Sequence, residues 1–295
     1  MKGYCLNIAD YKISIVSADA GLDLVPDDRF AGNICSDSVS DITITVHSGA
    51  FILPGNAERV FHAPLVEEIE GSMIRKDDNF WSVYRHNSGL FIKSIFPYSG
   101  SEKSAILKFS LTSRDWDLYI DGAGQNTDPL EYPLDGLILY YLTAIHGDIM
   151  VHASGVDYAG RGYIFSGVSG KGKTTMARLW EMAGSRVIHD DRLIIRNIEG
   201  RYHMFNTPVY KNDQPSRAVI NGIFLISHGK ENRIEPVSGA QAVSLFLANC
   251  IQHNWNRDHV ERLIGSVSAL CTSVPVSLLS FKPEIGITDL ILRNG

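Results

Sequence analysis

The chain has 295 residues and a formal net charge of −6, and 44% of its residues are hydrophobic and 20% charged. These values are typical of a globular protein that is long enough for two domains, and they exclude wholesale disorder. An acidic chain without a run of lysine or arginine is also unlike a dedicated nucleic-acid binder. We therefore expect no nucleic-acid partner.

The four cysteines are far apart in the sequence and show no CxxC spacing; they are Cys5, Cys35, Cys250 and Cys271. This favours free thiols in a reducing compartment over a zinc site. The first residues lack the apolar core of a signal peptide, and the longest apolar stretch, residues 136–145, has about half the length of a bilayer span. The sequence therefore predicts a soluble, cytoplasmic protein without a membrane partner.

The first part of the chain shows short apolar/polar alternations separated by turns. Residues 41–49 alternate cleanly, residues 79–96 predict a hairpin, and residues 105–122 predict a second pair of strands. The turn-rich stretch 123–129 is the best candidate for a boundary. We predict a mainly-β N-terminal domain over residues 1–128.

The remaining residues, 129–295, alternate between helical and strand patterns, as in an α/β domain. A helix is predicted from Pro133 to near Gly147, followed by two strands joined by a turn at 159–162. A helix with Met176, Leu179, Trp180 and Ala183 on one face and Gly184 at its end comes next, and then a short strand, VIHDD. Later predicted elements are a strand at 222–227, helices at 239–252 and 257–271, and a strand at 276–281.

Residues 167–174 read GVSGKGKT and satisfy the phosphate-loop pattern GxxxxGK[ST] in full. Glycines let backbone N–H groups surround phosphate oxygens, and the N-terminus of the following helix adds a favourable dipole. Lys173 would reach the β and γ phosphates, and the Thr174 hydroxyl would bind Mg²⁺. The predicted nucleotide-binding residues are Gly167, Ser169, Gly170, Lys171, Gly172, Lys173, Thr174 and Thr175.

Two aspartates, Asp190 and Asp191, follow Lys173 after only seventeen residues, so that one helix separates the loop from the acids. Side chains alternate along an extended chain, so we expect one carboxylate to face a metal and the other an incoming hydroxyl. His152 is predicted to lie across a hairpin from about residue 168, where it could influence proton release. A histidine packed in the core is the alternative interpretation.

The stretch HASGVDYAGRGYIFSGVSGKGKTT, followed by VIHDDRL, resembles the C-terminal catalytic domain of HPr kinase/phosphorylase, whose core is shared with P-loop phosphoenolpyruvate carboxykinases. The resemblance implies an α/β P-loop kinase domain over residues 129–295 that uses ATP and Mg²⁺. It implies that Asp190 is the base for the acceptor hydroxyl, that Asp191 holds Mg²⁺ with Thr174, and that His152 supports proton transfer. The two aspartate roles could be exchanged.

The chain departs from true HPr kinases after the aspartates, where the segment E-x-R-G-x-G-I is missing and RNIEGRYHMFNTPVYKNDQPSRAV stands instead. The sequence therefore predicts a divergent member that transfers the γ-phosphate of ATP to a hydroxyl, with serine preferred. The acceptor would be a peptide, such as a natural-product precursor, a protein or a small molecule, and the N-terminal domain would recognise it. Two alternatives remain, a nucleotide-binding regulatory module with little transfer and a carboxykinase-like reaction. A homo-oligomer is left open.

Overall fold

A computed structural model describes residues 3–36, 39–69, 72–87, 89–97, 103–211 and 213–294. Contacts within the chain divide it into two compact units, which we call unit 1 (Met1–Leu142 and Pro208–Gln214) and unit 2 (Thr143–Thr207 and Pro215–Gly295). Both are built mainly from β-strands and have few helices. The predicted domain boundary between residues 128 and 129 stays a prediction.

Within the described residues of unit 1, nine strands form one sheet. They are β1 Gly3–Ile8, β2 Tyr11–Ser17, β3 Ile34–Cys35, β4 Ile42–Ser48, β5 Glu58–Ile69, β6 Ser72–His86, β7 Gly89–Ile95, β8 Ser104–Phe109 and β9 Asp115–Asp121. Their order across the sheet is β3-β1-β2-β4-β9-β8-β7-β6-β5. The pairs β2–β4 and β4–β9 are parallel.

The apolar/polar alternation of these strands buries one face of the sheet. Tyr11, Ile13 and Ile15 of β2 are buried, and the residues between them are partly exposed. Because strand side chains point alternately to the two faces, this pattern fixes the register of the strands. The two predicted pairs are confirmed as the antiparallel pairs β6–β7 and β8–β9.

The helix predicted after Pro133 is confirmed as α1, Leu134–His146. A 3₁₀ helix, Asp28–Asn33, carries Arg29, whose Nη2 donates to the carbonyl of Leu130 at 2.7 Å. Its Nη1 lies 3.2 Å from Asp135 Oδ2, and Asp135 is in the first turn of α1, where a carboxylate also interacts favourably with the helix dipole. Unit 1 therefore contains an ion pair that is enclosed by its own core.

The four cysteines are free, as predicted. Cys5 and Cys35 face each other across β1 and β3, with their Sγ atoms 2.7 Å apart. In unit 2, burial raises the pKa of the Cys250 thiol and raises that of Cys271 to about 11. These two thiols are therefore protonated near neutral pH.

In the described part of unit 2, eight strands form a mixed sheet that is flanked by helices. The strands are β10 Ile149–Tyr158, β11 Arg161–Ser166, β12 Arg186–His189, β13 Arg192–Ile198, β14 Arg201–Asn206, β15 Arg217–His228, β16 Arg233–Val237 and β17 Val276–Phe281; the helices are α2 Lys173–Met182, α3 Gly239–Leu247, α4 Arg257–Ser273 and α5 Gly286–Asn294. The order is β11-β10-β13-β14-β15-β17-β16, with β12 on β10 and a further pairing between β11 and β15. The phosphate-loop α/β kinase fold stays a proposal.

The helices of unit 2 cover its sheet from two sides. Met176 and Trp180 of α2 and residues of α5 share one cluster, whereas residues of α3 and α4 belong to another cluster. The predicted buried face of α2 is confirmed for Met176, Leu179 and Trp180. Ala183 is half-buried, because the helix ends before it and Gly184 follows with a left-handed φ of 88°.

Strand directions bring several strand ends to one edge of the sheet in unit 2. β11 is parallel to β15, β15 is parallel to β17, and β10 runs antiparallel to both β11 and β12. The start of β10 therefore lies at the same edge as the ends of β11 and β12. Ligands commonly bind where strand ends and their following loops meet in this way.

No helix in the described part of the chain is both long and apolar enough to cross a lipid bilayer.

Candidate functional site

The predicted phosphate loop connects the end of β11 to the start of α2. Gly170 and Gly172 have left-handed φ angles of 77° and 93°. A Cβ atom on Gly172 would also lie 2.8 Å from Cζ of Phe281. Position 172 therefore requires glycine for two independent reasons, its backbone conformation and the close approach of an aromatic ring.

Lys173 begins α2, and its side chain is buried beneath the loop. Its Nζ donates to the carbonyls of Gly167 at 2.8 Å and Val168 at 3.3 Å. Burial lowers the pKa of this ammonium, and the nearby carboxylate of Asp191 opposes that shift. The Lys173 ammonium therefore lies beneath a loop whose backbone N–H groups could bind phosphate oxygens.

The first turn of α2 has no side-chain cap, since its N-cap residue is Gly172. The backbone N–H groups of a first turn have no acceptor within the helix and attract anions. Thr174 is exposed in this turn, Thr175 is half-buried, and Ser169 and Lys171 are exposed in the loop. The predicted nucleotide-binding residues are therefore brought together by this short segment.

The two aspartates are not in a strand, in contrast to the prediction. β12 ends at His189 and β13 begins at Arg192, so that Asp190 and Asp191 form the bend between them. The alternation of side chains holds only for extended backbone, and it therefore does not separate these two carboxylates. Their different surroundings are set by tertiary contacts.

Asp191 contacts His152 across the bend. Nδ1 of His152 donates to the backbone carbonyl of Asp191 at 2.8 Å and lies 3.3 Å from its Oδ1. The hydrogen bond from His152 lowers the pKa of Asp191; burial opposes the shift and Arg192 adds to it. Asp191 is consequently a carboxylate that stays ionised at neutral pH.

His152 lies next to the loop, as the hairpin predicts. The register places Ala153 opposite Ser166, so that His152 is opposite Gly167, one residue from the predicted partner. Its side chain is 44% exposed. A histidine packed in the core would not be this exposed, so the alternative interpretation is wrong.

Asp190 differs from its neighbour. It is half-buried, and among the described residues the contacts of His152 and Arg192 at this bend are made to the Asp191 carboxylate and not to that of Asp190. The two adjacent carboxylates therefore differ in their contacts within the described part of unit 2.

No group of three or more His, Cys, Asp or Glu side chains within the described ranges could hold a metal ion by itself. Mg²⁺ is commonly bound through one or two carboxylates, substrate phosphates and water, so it does not need such a cluster. An ionised Asp191 and the exposed hydroxyl of Thr174 are hard oxygen donors that fit this pattern.

Three residues near the loop were not predicted. His228 Nε2 donates to the carbonyl of Gly170 at 3.0 Å, and its ring lies 5.7 Å from that of Phe281. His189 accepts hydrogen bonds from the bend that carries the aspartates. For His228 and Phe281 the local sequence holds no signal, because they are more than fifty residues from the loop. His189 could have been suspected from its position beside the acids.

A cavity of about 410 Å³ borders the loop at Gly167, Val168 and Lys171. Its other lining residues come from β15, β16, β17, α3 and the two residues that follow α3, and they are Leu225, Ile226, Ser227, Arg233, Glu235, Leu245, Ala248, Asn249, Leu278 and Ser280, together with Ser166 of β11. A mainly apolar cavity of this size can hold a small ligand or part of a larger one.

No model of a known protein family matches this chain, and no protein of curated function matches it in sequence. Among solved structures, a similar one is the HPr(Ser) kinase/phosphatase from Coxiella burnetii, with a TM-score of 0.29 and 11% sequence identity over 49% of this chain and 94% of that chain. The similarity is distant.

Proposed function

We propose that unit 2 is a Mg-ATP-dependent phosphotransferase that transfers the γ-phosphate to a hydroxyl group, with serine of a peptide or protein as the first class of acceptor to test. The observation that carries the proposal is the placement of Asp191. Its carboxylate oxygen Oδ1 lies 3.3 Å from Nδ1 of His152 and is close enough to Lys173 to affect the pKa of that ammonium. A protein that only binds nucleotide needs no such combination beside its phosphate loop.

The loop residues supply binding and charge. The left-handed glycines Gly170 and Gly172 expose backbone N–H groups, and Lys173 places its ammonium under the loop. Phosphoryl transfer needs little covalent chemistry from the protein, since positioning and electrostatic stabilisation provide most of the rate. These groups would hold the phosphates in line with an acceptor.

The two aspartates would divide the remaining work. Asp191 and Thr174 would hold Mg²⁺, which when bound with ATP neutralises the charge on the phosphate oxygens. The Asp190 carboxylate would accept the proton of the incoming hydroxyl, as its lack of contacts to the described residues permits. His152 would keep Asp191 ionised and in place.

The test is a transfer assay with Mg²⁺ and ATP labelled at the γ-phosphate, with and without serine-containing peptides and cell extract. We expect label on an acceptor hydroxyl. In Asp190→Asn we expect transfer to fall by about 10²- to 10⁴-fold while ATP still binds, because the general base is lost and the loop is intact.

Asp258→Asn is the matched control, since Asp258 is an exposed aspartate in the first turn of α4. Transfer retained by Asp190→Asn would contradict the assignment of the base. ATP binding without a labelled acceptor would instead favour a regulatory module that binds nucleotide.

A further inference from the structure

His189 is the last residue of β12 and is 5% exposed. Its ring nitrogen Nδ1 accepts hydrogen bonds from the backbone N–H groups of Asp191 at 3.1 Å and Arg192 at 3.2 Å. Asn, Asp and Ser side chains form the same type of contact when they accept from N–H groups two or three residues ahead in a turn. Here the buried imidazole of His189 makes this contact.

The opposite side of the Asp191 backbone is held by β10. The carbonyl of Asp191 accepts from the backbone N–H of Ala153 at 3.1 Å and from Nδ1 of His152 at 2.8 Å. The N–H and the C=O of Asp191 are therefore both fixed by other parts of unit 2. Only the side-chain torsions of Asp191 remain free, and its carboxylate lies 3.3 Å from Nδ1 of His152 and 3.9 Å from Nε of Arg192.

We infer that His189 is a positioning residue, which fixes Asp191 relative to Lys173 by accepting the two N–H groups with Nδ1. The role requires that Nδ1 carries no proton, because an N–H cannot donate to a protonated nitrogen. His189 acts through the backbone of Asp191 and touches neither phosphate nor acceptor in this role. Where phosphoryl transfer is the quantity measured, the inference rests on the proposed function.

Two variants separate the effect of the acceptor atom from the effect of the size of the ring. In His189→Asn, Oδ1 can occupy the position of Nδ1 and accept both N–H groups. In His189→Gln, the side-chain oxygen lies one bond further along, near the position of Nε2. Both replacements are polar and neutral, so a difference between them reports on the position of the acceptor.

The first readout is amide hydrogen exchange in the protein without nucleotide or metal. We expect the amides of Asp191 and Arg192 to exchange about 10-fold faster or more in His189→Gln and to stay within about threefold of wild type in His189→Asn. The amide of Ala153, which donates to Asp191 from β10, serves as the internal reference for intact pairing at the edge.

The second readout is the Mg²⁺ dependence of ATP turnover or transfer. Residues that orient a metal ligand typically change metal affinity or activity by about 10- to 100-fold when replaced. We expect the Mg²⁺ concentration for half-maximal rate to rise by about 10-fold or more in His189→Gln, with KM for ATP within about twofold. His189→Asn should remain close to wild type in both.

Equal exchange rates in wild type and His189→Gln would overturn the inference, and so would an Asn variant that behaves like the Gln variant. If His189→Gln does not fold, His189→Asn alone is the test. The inference then requires that the amides of Asp191 and Arg192 exchange in His189→Asn at the wild-type rate, because Oδ1 supplies the acceptor. If no transfer is found even with wild type, the proposed function fails, but the exchange measurement still tests His189.

Discussion

Units 1 and 2 each contain a close pair of a basic side chain and a carboxylate, but the two pairs differ in their exposure to solvent. In unit 1, the side chains of Arg29 and Asp135 are 14% and 6% exposed and pair with each other. In unit 2, His152 and Asp191 are 44% and 33% exposed and lie at a sheet edge beside a glycine loop. The enclosed pair contributes to the fold, whereas the partly open pair lies where we propose that Mg-ATP binds.

This comparison predicts opposite outcomes for charge removal in the two units. Among the changes that compare the two units, the largest effect is expected for Lys173→Gln, which should lower phosphoryl transfer by about 10²- to 10³-fold, because it removes a charge that stabilises the transferring phosphate. The melting temperature should change little, since burial already disfavours the charged ammonium. Transfer kinetics and thermal unfolding of the same preparation give both values.

Arg178→Gln is the control for Lys173→Gln, because Arg178 is an exposed cation on the same helix. It should leave transfer within about twofold of wild type, as exposed charges contribute little. A large loss of stability in Lys173→Gln with unchanged kinetics would break the comparison between the units.

The converse is expected for Asp135→Asn in unit 1. Removing the carboxylate takes the nearer charge partner from the buried guanidinium of Arg29, whose contact with the exposed Asp27 is longer at 3.9 Å. This should lower the free energy of unfolding by about 3 kcal/mol. Chemical denaturation measures this change, and ATP affinity should stay within about twofold. Asp28→Asn, which breaks the exposed pair with Lys211, should leave unfolding unchanged.

Gly172→Ala should affect both the stability of unit 2 and its binding of nucleotide. The left-handed φ and the approach of Phe281 predict a loss of about 1 to 3 kcal/mol in the free energy of unfolding, and weaker nucleotide binding as the loop shifts. Gly265→Ala is the control, since Gly265 is exposed inside α4 with nothing near its added Cβ. There we expect a small gain of up to about 1 kcal/mol. Unchanged nucleotide affinity in Gly172→Ala would contradict the phosphate role of the loop.

The smallest effect is expected from pH in unit 1. Burial raises the pKa of Asp128 to about 7, and the hydrogen bond from Leu130 and the charge of Arg29 oppose this shift. The folded state keeps a proton that the unfolded chain releases above its ordinary pKa of about 4. The stability that the protonated Asp128 carboxyl gives to the folded state is therefore complete below about pH 4 and is lost as pH rises through about 7.

Asp128→Asn removes this titration. At pH 8 the variant should be more stable than wild type by about 1 to 2 kcal/mol, and the difference should vanish at pH 4. Thermal unfolding between these two pH values checks the sign, with the exposed Asp121→Asn as the control. A wild type that gains stability between pH 5 and 8 relative to Asp128→Asn would contradict the raised pKa.

Local patterns predicted the elements that depend on neighbouring residues. The strand pairs β6–β7 and β8–β9, helix α1 and the strand–loop–helix segment around Lys173 follow from alternation, turn residues and glycine spacing. The position of His152 beside the loop was also predictable, because a short hairpin fixes its own register.

The surroundings of the aspartates were not predictable in this way. The sequence places Asp190 and Asp191 after a strand, but only the pairing of β10 with β12 and β13 turns them into a bend and brings His152 to Asp191. The approach of Phe281 to Gly172 likewise joins residues that are far apart in the chain. Such contacts depend on sheet order, which local propensity does not contain.

The sequence by itself determined that a glycine loop with a lysine precedes a helix, because the conformational needs of that loop are met by residues within eight positions. The tertiary structure alone decided which aspartate is held by His152, which imidazole supports the bend, and which charges are enclosed. Burial and hydrogen-bond partners come from distant strands that meet at one edge, and they set the pKa and exposure of each group.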